Sequence, residues 1–382
     1  MHLAILVHFG DIVASSQTYA NNGLTWSPDT LRMNQVQVVG THNSYHTEAT
    51  LEEQRAMLEI SPKTRHLLYS HPALDVQASF QSIRSFELDV YADPEGDHYA
   101  RPLIRRNFTQ KPVTELQGPG IKILHVADVD YHSTCHTLKS CLGVVKAWSD
   151  AHPMHVPIPF MIEFKTAEKM VVDMGGTEVI AWNDETLLHA LDEEIRSVFG
   201  DEKLIVPDDI RRGGLTLEQS VLTHGWPDLD SARGRFLFLM DNEPDHPVRE
   251  AYTKNRPNLE GRVVFTNSRP GHSDCAFQKL NDARGDGLVN VQTQVKAGYW
   301  VRTRADEPLH TFFSDNITAR REAAFASGAQ IVSTDFQAYG MSSRWGVDYA
   351  VRLPGGRTAR CNPVNGPAGC VDSKLERSEY FS

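Results

Sequence analysis

No stretch of the 382-residue chain approaches the roughly 20 consecutive apolar residues that cross a bilayer. Positive charge is also short: 38 Lys and Arg stand against 49 Asp and Glu, a formal charge of −11. That balance argues against a long-range pull toward nucleic acid or an anionic membrane, although a local basic cluster can still grip one phosphate. Two catalytic signatures are missing. There is no Gly-x-Ser-x-Gly elbow, which removes the common Ser-His-Asp hydrolase. The isolated Gly213-Gly214 pair is not followed by Lys-Ser/Thr, so no P-loop is implied. No internal repeat is visible. Cysteine is sparse, with 5 in all. Cys135 and Cys141 are close enough to close a small loop, Cys361 and Cys370 bracket a turn-rich segment suited to a bridge, and Cys275 is left over.

The N-terminus lacks the positive flank of a signal peptide, since only His2 precedes the apolar run 3–9. Ala14-Ser15-Ser16 nevertheless offers small residues for cleavage. With the cysteine pairs and the sequons Asn107-Phe108-Thr109 and Asn316-Ile317-Thr318, this favours a secreted protein with a signal-peptide remnant.

What is present is ordinary globular material, 40% hydrophobic and 23% charged, with enough chain for a large core. Short apolar runs recur at 36–41, 83–90, 122–126, 160–165, 236–241, 262–266, 299–303 and 329–334. Most are near-continuous in Val, Ile, Leu and Phe, as parallel strands covered on both faces should be. Helical spacing fills the gaps, at 138–151, 184–199, 287–297 and 315–327, with glycines where stops are expected. Eight strands alternating with helices predict a single-domain (β/α)8 TIM barrel. The same pattern predicts an N-terminal arm over 1–35, the catalytic barrel over 36–340 and a C-terminal tail over 341–382 packed on its outside.

Barrel enzymes place their chemistry at the carboxyl ends of the strands, and here polar residues gather there. His42-Asn43 follows the first run, Glu87 and Asp89 close the second, and His125 closes the third. Glu163 and Lys165 end the fourth, Asp241-Asn242-Glu243 the fifth, Arg302 and Arg304 the seventh, and Asp335 the eighth. Glu87 and Asp89 are two apart, so both side chains share one face. Two buried carboxylates are costly unless a cation joins them. With the Asn43 carbonyl and Glu163, an all-oxygen set favours Ca²⁺, with Mg²⁺ second. The plainer reading pairs the two acids with arginines such as Arg84 or Arg269. His42 and His125 suit proton transfer near neutral pH, although a single strand-end histidine is more often a satisfied core residue. Lys165, Arg302 and Arg304 are positioned to neutralise a phosphate. His132-Ser133-Thr134-Cys135-His136 also reads as a weak zinc cluster. His152 and His155 read as loop residues, and His310 as packing.

Taken together, Gly40-Thr41-His42-Asn43-Ser44-Tyr45, Phe86-Glu87-Leu88-Asp89-Val90 and Leu124-His125 resemble the calcium-dependent phosphatidylinositol-specific phospholipase C family, within the barrel phosphodiesterases. Ser133-Thr134-Cys135, Trp148-Ser149-Asp150-Ala151-His152-Pro153, Ser268-Arg269-Pro270-Gly271-His272 and Val301-Arg302-Thr303-Arg304-Ala305-Asp306 extend the likeness over about 36–336. The resemblance implies His42 and His125 as the catalytic pair and Ca²⁺ held by Asn43, Glu87, Asp89 and Glu163. It implies attack by the inositol 2-hydroxyl on phosphorus, release of diacylglycerol and a cyclic phosphate that water then opens. Lys165, Arg302 and Arg304 become phosphate or headgroup contacts.

The partner is then a phospholipid headgroup or another phosphodiester, not nucleic acid, and the protein is expected to be a monomer. The chain shows no added lipid-targeting module, so transient membrane contact falls to loops at the barrel mouth, with Trp182, Trp226 and Phe312-Phe313 as candidates. A glycerophosphodiester phosphodiesterase is the nearest alternative, though that branch opens its site with His-Arg-Gly. A secreted ligand-binding barrel without turnover is the alternative of another class.

Overall fold

The computed structural model describes residues 22–376 except 28, 107, 108 and 110. The apolar run 3–9, the small residues after it and the Asn107 sequon lie outside the described residues. Among the described residues ten strands form: β1 Val36–Thr41, β2 Phe86–Tyr91, β3 Lys122–Ile123, β4 Ile158–Phe164, β5 Phe236–Met240, β6 Val264–Phe265, β7 Phe277–Lys279, β8 Trp300–Arg304, β9 Ile331–Thr334 and β10 Ala359–Cys361. β2, β4, β5 and β6 pair in parallel, in that order. β7, β8, β9 and β1 do the same. Single parallel bridges join the two sheets at both seams, Gly40 to Ser85 and Asn267 to Phe277. Eight parallel strands thus run round a TIM-type barrel, and an unbroken apolar run such as all-buried β5 follows from burial on both faces.

The seam between β1 and β2 depends on Gly40. A Cβ there would lie 2.8 Å from that of Ser85 and 3.1 Å from Ile331 Cγ2, so only glycine lets the strands approach this closely.

The run 122–126 is not a barrel strand. Only Lys122–Ile123 is extended, and it pairs antiparallel with the end of β2, Val90 to Ile123 and Tyr91 to Lys122. The slot beside β2 inside the barrel belongs to β4. An apolar run reports burial, not direction, which explains the misreading. The barrel strand missed in its place is β7, which carries only one large apolar residue, Phe277, before Gln278 and Lys279. The tail adds β10, antiparallel on the amino-terminal half of β1. Its last residue, Cys361, is bridged to Cys370, and Cys135 is bridged to Cys141, while Cys275 is free and buried.

The helices follow the caps. Leu138–Ala151 starts at Thr137, whose hydroxyl accepts from the Ser140 N–H. Glu185–Phe199 starts where the Asp184 carboxylate accepts from the Thr186 N–H and buries Leu188, Leu191, Ile195 and Phe199, each worth ~2 kcal/mol of transferred apolar surface. Asp286–Ala297 stops at left-handed Gly298. Ala319–Ala326 is shorter than the 315–327 spacing implies. No helix among the described residues is long and apolar enough to cross a membrane.

Candidate active site

The turn after β1 is tied down before it presents anything. The Thr41 hydroxyl donates to Gln77 Oε1 at 2.8 Å and lies 2.6 Å from Ser44 Oγ, and the Gln77 amide donates to the Ser44 carbonyl at 2.7 Å. Ser44 Oγ accepts from the Glu87 N–H at 2.7 Å, and the Ser44 N–H donates to the Glu87 carbonyl at 3.0 Å. The turn therefore docks on β2 beside the acidic pair. Asn43 takes a left-handed φ of 44°, a conformation asparagine tolerates better than most residues.

His42 is fixed from two sides. Its backbone N–H donates to the Thr334 carbonyl at 2.9 Å, and its ring Nδ1 donates to Asp335 Oδ1 at 2.7 Å. Asp335 Oδ2 in turn accepts from Arg304 at 2.9 Å. A carboxylate only accepts, so Nδ1 keeps its proton and Nε2 is left with a lone pair. Burial, with Arg304 adding to it and Asp335 opposing, lowers the His42 pKa to about 3.

His125 is held likewise. Its Nδ1 lies 2.8 Å from Asp130 Oδ2, and Asp130 also meets His46 Nε2 at 3.0 Å. His46 Nδ1 donates to the Tyr69 carbonyl at 3.0 Å. His125 thus reaches the mouth on the loop beyond β3, not on a barrel strand. His42 and His125 line one cavity of about 290 Å³, together with Asn43, Arg304 and Asp335. His66 and His310 stand at its edge with ring centroids 5.9 Å apart, so His310 is not packing. Asp130 and His46 were missed in the sequence. The signals available were a second histidine within Gly40–His46 and an acid five residues after His125.

The carboxylates lie beside this cavity. Asp89 on β2 is the register partner of Glu163 on β4. Glu87 Oε2 accepts from Arg302 at 2.5 Å, and its Oε1 is 3.5 Å from His42 Nε2. Burial raises Glu87 to about 7 against the pull of Arg302. The Lys165 ammonium is 3.1 Å from Asp89 Oδ2 and 3.2 Å from Glu163 Oε1. Burial pushes Asp89 well above the usual carboxylate range even so. The acids are therefore not free, but their cations are Arg302 and Lys165. Arg84 instead pairs with Glu376, and Arg269 lies 3.4 Å from Asp245 at the surface. Of the three expected phosphate contacts only Arg304 lines the cavity, and Arg302 is further engaged by Ser333 and Asn281.

Among the buried side-chain atoms without a hydrogen bond are both polar atoms of Asn43 and both oxygens of Asp89, of which Oδ2 meets only the Lys165 ammonium at 3.1 Å. Such orphaned atoms are costly and rare unless something binds them. Their chemistry, an amide and a carboxylate with Glu163 across the ladder, fits a hard cation. No ready-made cluster of three His, Cys, Asp or Glu exists among the described residues, so the set relies on Asn43 and on a shift of Lys165. The zinc reading of 132–136 falls: Cys135 is in a disulfide, and His132 binds Glu53 at 2.6 Å. His155 is buried against Ser149 and His152 stacks on Trp148, so neither is a simple loop residue. Trp182, Trp226 and Phe312 are buried, while Phe313 is 71% exposed.

A family model described as "Phosphoinositide phospholipase C, Ca2+-dependent" matches residues 31–363. Among solved structures, the calcium-dependent phosphoinositol-specific phospholipase C of Pseudomonas sp is 16% identical in its apo crystal form 2. It has a TM-score of 0.51, over 88% of this chain and 98% of that one. Its myoinositol complex gives 16% and 0.51, over 90% and 100%. A Ca²⁺-dependent phosphatidylinositol-specific phospholipase C from Streptomyces antibioticus is 17% identical with a TM-score of 0.48, over 83% and 98%. At these identities the Pseudomonas likeness is one of fold. No curated protein matches.

Proposed function

Since the chain belongs to the Ca²⁺-dependent phosphoinositide phospholipase C family, we propose that His42 and His125 carry out its phosphodiester cleavage, on phosphatidylinositol, with Asn43, Glu87, Asp89 and Glu163 as the Ca²⁺ ligands. The observation that carries this reading is the pairing of two carboxylate-backed histidines on one cavity with the orphaned polar atoms of Asn43 and Asp89.

Each histidine has its Nδ1 committed to an aspartate, which leaves Nε2 for the reaction. One takes the proton of the inositol 2-hydroxyl as that oxygen attacks phosphorus. The other returns a proton to the glycerol oxygen as the P–O bond breaks, giving diacylglycerol and an inositol cyclic phosphate. Water opens the ring with the two roles reversed. When bound, Ca²⁺ supplies positive charge for the hydroxyl and the phosphoryl oxygens. Arg304 meets the phosphate from the cavity wall, and Lys165 and Arg302 add positive potential behind it. Exposed Phe313 follows the short helix Pro308–Phe312, whose first residue lines the cavity, and serves for transient contact with the lipid surface. The two disulfides suit an oxidising compartment, which favours secretion.

The test is a substrate panel with and without Ca²⁺. Phosphatidylinositol should be cleaved only with Ca²⁺, yielding a cyclic phosphate by ³¹P NMR. Cleavage of glycerophosphoinositol alone would transfer the protein to the soluble-ester branch.

A further inference from the structure

The acidic groups at the mouth are not balanced by two equivalent cations. Arg302 is locked: its guanidinium donates to Glu87 at 2.5 Å, to Ser333 Oγ at 3.2 Å and to Asn281 Oδ1. Lys165 is held differently. It is only 5% exposed, and its backbone N–H donates to the Val90 carbonyl at 3.1 Å, which fixes the base of the side chain. Its ammonium hangs between Asp89 at 3.1 Å and Glu163 at 3.2 Å. Only the contact to Glu163 has hydrogen-bond geometry. Asp89 Oδ1 is left without any partner. One charge thus serves two carboxylates and leaves part of Asp89 open.

A hard divalent ion would complete what the ammonium leaves open, since Ca²⁺ takes 6–8 oxygen ligands at 2.3–2.6 Å. The flexible four-carbon stem of lysine allows withdrawal where the forked grip of Arg302 does not. We propose that Lys165 is a tethered cation. It neutralises Asp89 and Glu163 in the ion-free protein, competes directly with Ca²⁺, and is displaced when the ion binds. This rests on the ligand assignment proposed above. It explains how a site rich in buried carboxylates stays folded before the ion arrives, and it sets the Ca²⁺ affinity by an internal competitor.

Calorimetric titration of the full chain with CaCl₂ tests it, using wild type, Lys165→Met, Lys165→Gln and Asp89→Asn. Removing the ammonium should tighten Ca²⁺ binding at least tenfold. In chelator, both Lys165 variants should melt below wild type, and saturating Ca²⁺ should close the gap. Equal or weaker Ca²⁺ binding by the Lys165 variants, with binding lost in Asp89→Asn, overturns the competitor alone. Undiminished binding by Asp89→Asn overturns the ligand assignment and the competitor with it. Should the Lys165 variants fail to fold, ¹⁵N-lysine NMR of wild type decides. The Lys165 ammonium resonance should move with a saturable, 1:1 dependence on Ca²⁺, and a resonance unmoved at saturation overturns the displacement.

Discussion

Replacing Asp335 by asparagine isolates the orientation of His42 from the rest of the site. The Asp335 carboxylate is buried and accepts from His42 Nδ1 at 2.7 Å and from Arg304 at 2.9 Å, while the Asp335 backbone N–H donates to Asp306 Oδ1 at 3.1 Å. An amide of the same shape can turn its NH₂ toward Nδ1, which stabilises the tautomer whose proton sits on Nε2 and removes the lone pair from the cavity. In hydrolases where an aspartate orients a histidine this way, the same change costs about 10⁴ in kcat. His42 is also held by its backbone bond to Thr334, so part of the geometry survives, and we expect a loss of about 10³, or ~4 kcal/mol of barrier. KM should change by less than about threefold, since substrate binding does not need the tautomer. The assay is release of inositol cyclic phosphate from phosphatidylinositol vesicles at saturating Ca²⁺, with a thermal melt to show that the variant is folded. A kcat within threefold of wild type would refute the orienting role and remove the case for His42 as a proton-transfer group.

His125→Ala should lower kcat by at least about 10², while Asp130→Asn, which leaves the ring present, should cost less than His125→Ala; a larger loss in Asp130→Asn would mean that the aspartate acts directly. Burial holds His155 down to about 4, against ~6.5 in the unfolded chain. Between those values the unfolded state binds the extra proton, so stability falls as pH drops through this window. His155→Asn should therefore lose about 2 kcal/mol less than wild type between pH 7 and 4.5 by urea denaturation, and parallel losses would contradict this. Phe313→Ser should weaken sedimentation with phosphatidylinositol vesicles severalfold while leaving hydrolysis of a short-chain soluble substrate intact, and equal losses on both would assign Phe313 to the site itself.

Local pattern carried much of this architecture. Continuous apolar runs marked seven of the eight barrel strands, and helical spacing placed Leu138–Ala151 and Glu185–Phe199 to within a residue. The strand end carries His42 and Asn43 to one cavity, which His125 joins from a loop. What stayed hidden depends on partners far away in the chain. Nothing local says that Glu87 will choose Arg302, 215 residues on, in place of neighbouring Arg84, which turns to the tail at Glu376. β7 is too short and too polar to announce itself, and 122–126 is apolar enough to pass for a barrel strand while pairing the other way. Trp182 and Trp226 suit a membrane surface by residue type, yet the core claims both.

On the proposed reading, Asn43 Oδ1 and the Asp89 carboxylate are Ca²⁺ ligands, completed by Glu87 and Glu163, next to the two histidines. Anomalous diffraction from crystals of the full chain grown with Ca²⁺ tests it most directly. The account predicts one strong peak with oxygen distances of roughly 2.3–2.6 Å to Asn43 Oδ1, Glu87, Asp89 and Glu163. A saturated crystal with the peak elsewhere, or with Lys165 still between Asp89 and Glu163 and no ion beside it, would contradict it.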